Sequence, residues 1–138
     1  MTENNPIISI IINCYNGAEY LEETLQSAKN QSFQDFEVIF WDNHSSDRSK
    51  SIFSEIKDER FSYYLSPTHT KLYKARNLAL EKANGKYICF LDTDDMMSKD
   101  RLKKQIDIFQ KFPNIGVVYS NQIIFNSYTK KKFNFINK

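Results

Sequence analysis

The chain has 138 residues, the size of one ordinary domain or of part of a larger protein. Its 41% hydrophobic and 26% charged residues, with only three Pro and three Gly, exclude a disordered or fibrous chain, and no apolar run approaches the roughly 20 residues that cross a bilayer. The net charge of +2 conceals an acidic part, residues 1–98, with 10 basic and 15 acidic side chains, and a basic part, residues 99–138, with 9 basic and 2 acidic ones. The basic part is suited to contact with phosphates or an anionic membrane surface, and it is also typical of a solvated, lysine-rich face.

The first half of the chain alternates between strand-like and helix-like spacing. Residues 7–12 form a continuous β-branched run, which predicts a strand buried on both faces. Apolar residues then recur at helical spacing up to Gln31. Residues 36–41 predict a second strand, and a polar stretch with helix-capping chemistry leads into a helix whose inward side is Ile52, Phe53 and Ile56.

The same alternation continues in the middle of the chain. Residues 61–65 predict a short third strand, and the polar loop after it leads into a helix that carries several alanines. This helix should end at Asn84-Gly85, with Gly85 in the position that a helix C-cap favours. Residues 87–91 predict a fourth strand.

Beyond the fourth strand we predict a helix that Pro113 ends, a fifth strand at residues 115–119, and strand or hairpin pieces at 123–125 and 133–136. The order β-α-β-α-β-α-β-α-β, with short connections, predicts an α/β fold with a mostly parallel sheet and helices on both faces. Since there is no linker or repeat, we expect one domain over residues 1–138, with residues 1–5 as a flexible N-terminus that is no signal peptide.

Ligands of such sheets bind at the carboxyl ends of the strands, where this sequence has three polar loops. They follow the first, second and fourth strands and comprise residues 13–17, 42–47 and 92–95. The carboxylates of Asp92, Asp94 and Asp95 repel one another, and oxygen ligands favour Mg²⁺ or Mn²⁺, which substrate phosphates commonly share. We expect Asp92 and Asp94 to bind such a cation, whereas Asp95 is also suited to capping the next helix.

Four other residues are candidates for ligand contact. Tyr15 is suited to stacking on a planar base, although ordinary packing explains it equally well. The amide of Asn43 can donate to and accept from a base edge, or it can cap the next helix. Lys71 and Arg76 flank the start of the third helix and can neutralise phosphate oxygens, or they are solvated surface charges.

The remaining chemically active residues are interpreted as structural. His44 and His69 have no acidic or cysteine partner at ligand spacing, so we interpret both as loop residues. Cys14 and Cys89 lie 75 positions apart in strand-like runs, which indicates reduced core thiols of a cytosolic protein. The absence of G-x-G-x-x-G, a P-loop motif and an aromatic-basic stripe counts against dinucleotide, P-loop and nucleic-acid binding.

Eight stretches, taken in their order and spacing, carry a resemblance to a known family: residues 8–16, 20–27, 30–33, 35–39, 42–47, 75–77, 85–88 and 90–95. Together they resemble the donor-binding part of family-2 glycosyltransferases, which have the GT-A fold. The resemblance covers about residues 6–125. It implies transfer of a sugar from a nucleotide-sugar donor, usually UDP-linked, to a saccharide or lipid-linked acceptor, with inversion at the anomeric carbon. It also implies bacterial polysaccharide assembly in the cytoplasm, with peripheral contact at the inner face of the membrane.

The resemblance assigns the residues of the base site. Asn13 and Tyr15 would border the nucleobase, with Tyr15 stacked on it. Asn43 stands where the family usually has an aspartate that faces the base, and Asp42 would support this loop.

The resemblance also assigns the diphosphate and metal sites. Lys71 and Arg76 would lie near the base or the diphosphate. Asp92 and Asp94 form the family's D-x-D pair: Asp94 is the better metal ligand, and Asp92 would face the ribose or a metal-bound water. Mn²⁺ or Mg²⁺ would stabilise the departing diphosphate.

The catalytic base of the family is an Asp or Glu well downstream of the D-x-D pair, whereas no Asp or Glu follows Asp107 here. We therefore expect a truncated donor-binding part that transfers sugar poorly or not at all, with residues 126–138 as the start of an acceptor-side hairpin. The alternative is a non-catalytic nucleotide-sugar-binding module. A phosphoacceptor signalling domain would need an acidic pair after the first strand, and a nucleotidyltransferase would need a glycine-rich loop there; the sequence has neither.

Overall fold

The computed structural model describes residues 5–125 and the backbone of residues 132–135. In chain order the elements are β1 (Ile8–Cys14), α1 (Leu21–Lys29), β2 (Phe36–Asp42), α2 (Ser49–Ser54), β3 (Phe61–Leu65), α3 (Leu72–Leu80), β4 (Tyr87–Phe90), α4 (Arg101–Lys111), β5 (Gln122–Phe125) and β6 (Lys132–Phe135). The chain divides into two compact units, residues 1–102 and 103–138.

The first unit is built on a four-stranded parallel sheet with the strand order β3-β2-β1-β4. The chain moves outward from β1 through β2 to β3 and then crosses back to β4 on the other side of β1. Because β-α-β crossovers are right-handed, this reversal puts α1 and α2 on one face of the sheet and α3 on the other. The predicted mostly parallel sheet with helices on both faces is therefore confirmed.

The two central strands are buried on both faces, as their continuous apolar sequences predict. On the α3 face, a buried cluster joins three strand residues to two helix alanines: Ile11, Ile39, Trp41, Ala75 and Ala79. On the opposite face, Phe40 of β2 contacts Phe53 of α2 with 4.8 Å between ring centroids. Since the alanines end at Cβ, α3 lies close to the sheet, and its first turn lies near the carboxyl ends of β1 and β2.

Gly85 has a different function from the predicted helix C-cap. Helix α3 ends at Leu80 with Glu81 as its C-cap residue, and Gly85 does not have a positive φ. Instead, a Cβ at Gly85 would collide with the backbone nitrogen of Ser9, and the N–H of Gly85 donates to Ser9 Oγ at 2.8 Å. The prediction was wrong because the helical spacing does not reveal how closely this turn approaches β1.

Residues 115–119, which we predicted as a fifth strand, form no strand. Val117 and Tyr119 are 77% and 79% exposed, so this run does not have the burial that an apolar strand needs. The second unit instead contains the antiparallel pair β5–β6, in which Gln122 is opposite Phe135 and Phe125 is opposite Lys132.

The β5–β6 pair confirms the predicted hairpin piece at 123–125 and the described part, 133–135, of the piece predicted at 133–136. Residues 1–4, 126–131 and 136–138 lie outside the described residues, so the predicted flexible N-terminus and the predicted acceptor-side hairpin at 126–138 stay predictions.

Among the described residues, no helix is long and apolar enough to pass through a bilayer.

Cys14 and Cys89 are free thiols. Burial raises the pKa of both, so both are protonated at neutral pH. The predicted reduced state of these thiols stays a prediction.

Candidate functional site

The loops after β1, β2 and β4 lie together at the carboxyl edge of the sheet. Ser45 Oγ accepts from the N–H of Asn16 at 3.0 Å, and Asn16 Oδ1 accepts from the N–H of Ser46 at 2.8 Å. Asn16 has a φ of 52°, a left-handed conformation that asparagine tolerates. Gly17 lies against the third loop, since a Cβ there would be 2.8 Å from Thr93 Oγ1. The sheet thus assembles the three loops as their sequence positions predict.

Asp42 is a buried anchor of this edge, with 1% of its surface exposed. Its Oδ2 accepts from the hydroxyl of Tyr63 at 2.6 Å, and its Oδ1 accepts from the N–H of Ser45 at 2.7 Å. Burial, and then the hydrogen bond to Asp42, raises the pKa of Tyr63, so the phenol remains protonated and donates. Because both carboxylate oxygens accept protein hydrogen bonds, Asp42 fixes the loop after β2. Its assignment to the base site stays a prediction.

A pocket of about 190 Å³ lies between the ends of β1 and β2 and the start of α3. It is lined by the strand ends, the loop before α3 and the first turn of α3, through residues that include Asn13, Tyr15, Asn43, His69, Lys71 and Leu72. Four of these were predicted as site residues, and the structure brings them together. Tyr15 is 52% exposed, so part of this residue is open to a ligand.

Asn43 is 4% exposed and holds the loop before α3 against the end of β2. Its Oδ1 accepts from the N–H of Thr70 at 3.1 Å and from Thr70 Oγ1 at 3.0 Å. Its Nδ2 donates to the carbonyl of Thr70 at 2.7 Å and lies 3.2 Å from His69 Nδ1. A carboxylate at this position has no N–H for the Thr70 carbonyl, so this loop conformation requires an amide.

Asn13 and Trp41 are paired in the register of β1 and β2, and both carry buried polar atoms without a partner. These atoms are Oδ1 and Nδ2 of Asn13 and Nε1 of Trp41, with no hydrogen bond to any described residue. A buried polar group without a hydrogen bond lowers the stability of the folded state. Asn13 and Trp41 therefore form a polar site in the otherwise apolar layer on the α3 side of the sheet.

Arg76 connects α3 to the loop after β4. Its Nη2 lies 2.8 Å from Oδ1 of Asp92, and its guanidinium lies 5.4 Å from the ring centroid of Phe90. The two charged side chains are 34% and 54% exposed, so the pair is open to solvent and can be exchanged for other partners. The structure thus brings two further predicted residues together.

The loop after β4 concentrates negative charge. Burial, and then the charges of Asp94 and Asp92, raises the pKa of Asp95. No group of three or more His, Cys, Asp or Glu side chains in residues 5–125 is arranged to hold a metal by itself. The oxygen-only donors of Asp92 and Asp94 fit a hard divalent cation that takes its remaining ligands from a bound phosphate or water.

His69 is a pocket residue that the sequence did not reveal. Its ring centroid lies 3.9 Å from that of Tyr15 with 42° between the planes. The only available signal was the position of its loop at the carboxyl edge of the sheet. His44 is different: its Nδ1 lies 3.2 Å from the carbonyl of Ser66, and it does not line the pocket.

Comparison with known proteins identifies the family. Residues 9–137 match the sequence model of glycosyl transferase family 2. Over 106 residues the chain is 44% identical to an uncharacterized glycosyltransferase of Haemophilus influenzae, a match that covers 75% of this chain and 42% of that protein. Over 118 residues it is 35% identical to the UDP-Glc:alpha-D-GlcNAc-diphosphoundecaprenol beta-1,3-glucosyltransferase WfaP of Escherichia coli, covering 86% of this chain and 47% of that protein.

A solved structure agrees with these matches. TarS 1–349 of S. aureus, in complex with UDP-GlcNAc, superimposes with a TM-score of 0.74 at 26% identity, covering 86% of this chain and 33% of that chain. The chain therefore belongs to glycosyltransferase family 2, and its parallel sheet is the N-terminal part of a GT-A fold. It spans less than half the length of the two curated relatives above, 42% and 47%.

Proposed function

We propose that this chain is the donor-binding part of a metal-dependent, inverting glycosyltransferase that uses a UDP-linked sugar. The observation that carries the proposal is the pocket beside Tyr15, which lies at the same edge of the sheet as Arg76 and the carboxylates after β4. A base, a diphosphate and a divalent cation need these three kinds of group. The UDP-GlcNAc complex of TarS and the UDP-Glc donor in the name of WfaP support the choice of UDP.

The residues of the pocket have separate functions in this proposal. Tyr15 stacks on the base, and Asn13 borders it. Asn43 and Asp42 hold the loops that form the pocket. Lys71 precedes the first turn of α3, where the partial positive charge of the helix N-terminus also favours phosphate.

Arg76 and Asp92 exchange partners when the donor binds. Arg76 would then contact the diphosphate, and Asp92 would contact the ribose or a water held by the cation. Asp94, with Asp92, would hold Mn²⁺ or Mg²⁺, and a cation bound there stabilises negative charge on the diphosphate leaving group.

The acceptor part of the reaction needs a general base that removes the proton of the attacking hydroxyl. Residues 108–138 contain no Asp or Glu, so they do not supply it. We expect the 138-residue chain to bind the donor and to transfer sugar poorly or not at all.

The diphosphoundecaprenol in the name of WfaP supports a lipid-linked acceptor. With such an acceptor we propose that the reaction takes place at the cytoplasmic face of a membrane. The excess of basic residues in 99–138 is consistent with peripheral contact there. A non-catalytic nucleotide-sugar-binding module is the competing proposal, which the absence of Asp and Glu in 108–138 also favours. A transfer assay on a longer chain that contains an acidic residue downstream separates the two.

The proposal is tested by the melting temperature of the chain with UDP and Mn²⁺. A ligand at 100 times its Kd adds about 2.7 kcal/mol to the free energy of unfolding, or several degrees in Tm. We expect this rise with UDP and Mn²⁺ together, and a smaller one with UDP and EDTA. Asp94→Asn should abolish the advantage of Mn²⁺, whereas Asp100→Asn, an exposed control, should keep it. No shift with any nucleoside diphosphate at millimolar Mn²⁺ would contradict the proposal.

A further inference from the structure

We propose that His69 determines base specificity: its ring packs on Tyr15 at the pocket, and its Nε2–H donates to a carbonyl oxygen of the bound base. The inference rests on the proposed function, since it assumes that the pocket binds a nucleotide. The position of Asn43 suggests that Asn43 recognises the edge of the base. We assign this recognition to His69 instead.

Asn43 has no hydrogen-bonding capacity left for a base. An amide side chain offers two acceptor positions and two donor hydrogens. Thr70 occupies both acceptor positions through its N–H and Oγ1, and its carbonyl takes one donor hydrogen. The second hydrogen faces His69 Nδ1 at 3.2 Å.

The two ring nitrogens of His69 have different surroundings. Nδ1 lies 3.2 Å from Nδ2 and 3.2 Å from the backbone oxygen of Asn43, so it is held by Asn43 in either tautomer. Nε2 makes no hydrogen bond to any described residue, and His69 is exposed at the pocket. The imidazole therefore presents Nε2 as a polar group for a ligand.

His69 Nδ1 can either accept from Asn43 Nδ2 or donate to the backbone carbonyl of Asn43. Buried N–H groups without a partner are rarer in proteins than buried carbonyls without one, and Asn43 is buried, so we assign Nδ1 as the acceptor. In the neutral imidazole the other nitrogen then carries the proton, which makes Nε2–H a donor. A donor at this point favours bases that present a carbonyl oxygen, such as uracil, over adenine, which has none.

The ring of His69 contributes through its contact with Tyr15. The centroids are 3.9 Å apart with 42° between the planes, so the imidazole packs on one face of the Tyr15 ring and supports that ring at the pocket. A base that enters the pocket beside Tyr15 can therefore also contact the edge of the imidazole. The ring can thus contact any base, whereas Nε2–H can donate only to a base that presents a carbonyl oxygen.

The test compares the Kd of UDP and ADP, with Mn²⁺, for variants of the 138-residue chain by calorimetry. His69→Phe keeps a ring and removes both nitrogens, so UDP affinity should fall about tenfold while ADP affinity stays within about twofold. His69→Ala should weaken both nucleotides further, since the ring is lost as well. His69→Gln restores a donor near the position of Nε2 but not the acceptor for Asn43, and it should recover much of the preference for UDP.

The control is His44→Asn, which changes the other histidine of this edge; asparagine tolerates the φ of 70° at that position. It should bind as the unchanged chain does. A preference for UDP over ADP that is the same in His69→Phe and in His44→Asn would overturn the inference, even if UDP still binds. A chain that binds neither nucleotide would overturn the proposed function and this inference together.

Discussion

Tyr15 and Asn43 line the same pocket but offer very different surfaces to a ligand. The ring of Tyr15 is half exposed, whereas the amide of Asn43 is buried and bonded to Thr70. The sequence predicts both positions, because both follow strands of a parallel sheet. It does not predict that Asn43 is already occupied, since that depends on the conformation of a loop 27 residues further along the chain.

Replacing Tyr15 by Ala should weaken UDP binding about tenfold or more, because stacking of an aromatic side chain on a base contributes about 1–3 kcal/mol. The free energy of unfolding without ligand should change little, since the ring is half exposed. Calorimetric titration and urea unfolding measure the two quantities. Tyr73→Ala, at a tyrosine that is 67% exposed on α3 and does not line the pocket, is the control. Equal losses of affinity in both variants would show that Tyr15 has no special contact with the base.

Asn43→Asp should destabilise the chain by about 1–3 kcal/mol. The aspartate has no N–H to donate to the Thr70 carbonyl, so a carboxylate oxygen and this carbonyl oxygen would face each other without a hydrogen bond at a buried position. Urea unfolding at neutral pH measures the loss. The same change at Asn77, an exposed residue of α3, should cost only a few tenths of that amount. A variant at position 43 that is as stable as Asn77→Asp would mean that the hydrogen bonds to Thr70 are not needed.

Strands and helices are predictable where burial and periodicity agree. The apolar runs of β1 and β2 and the spacing of α1 and α4 give the observed elements to within a few residues. Prediction fails where a residue's function is set by a distant part of the chain. Gly85 is needed because β1 passes against it, and residues 115–119 are apolar without forming a strand. Neither fact is contained in the local sequence.

The contact between the turn after α3 and β1 can be tested at Gly85. Gly85→Ala should destabilise the chain by about 1–3 kcal/mol, because the added Cβ meets the main chain of β1 and the backbone must shift. Gly116→Ala is a matched control, since a Cβ there meets nothing within 4 Å. Thermal unfolding of both variants gives the comparison. Similar melting temperatures for the two would exclude the close approach.

The turn before β3 should make stability depend on pH. The hydrogen bond from Arg60 to Asp58, 2.6 Å between Nη2 and Oδ2, lowers the pKa of Asp58 in the folded chain. The stabilisation is therefore fully present above the ordinary pKa of an aspartate and is lost as the pH falls through the lowered value. Arg60 also donates to the carbonyl of Lys29, so the pair fixes this turn against the end of α1.

Comparison of Asp58→Asn with the unchanged chain isolates this effect. The difference in free energy of unfolding should be constant near neutral pH and should shrink toward pH 3. Glu59→Gln, at the exposed neighbouring residue, controls for the loss of one negative charge. If the difference for Asp58→Asn does not change with pH, the ion pair does not contribute to stability.

For the molecule as a whole, the sheet brings together loops that are far apart in sequence. In the sheet, β4 lies beside β1, on the side opposite β2, and α3 connects β3 to β4. Arg76 of α3 therefore meets Asp92, which follows β4. The alternation of strands and helices predicts the parallel sheet and the shared carboxyl edge. The strand order and the contacts among Tyr15, His69 and Asn43 could not be predicted, because they depend on how the crossovers and loops pack in three dimensions.

The central claim is that this edge of the sheet binds the nucleotide of a UDP-linked donor together with a divalent cation. The most direct test is a crystal structure of the chain soaked with UDP and Mn²⁺. We predict that the uracil ring lies against Tyr15 within reach of His69 Nε2, and that the cation joins Asp94 to the diphosphate. A nucleotide bound away from Tyr15, or a diphosphate and cation that do not contact the loop after β4, would contradict the account.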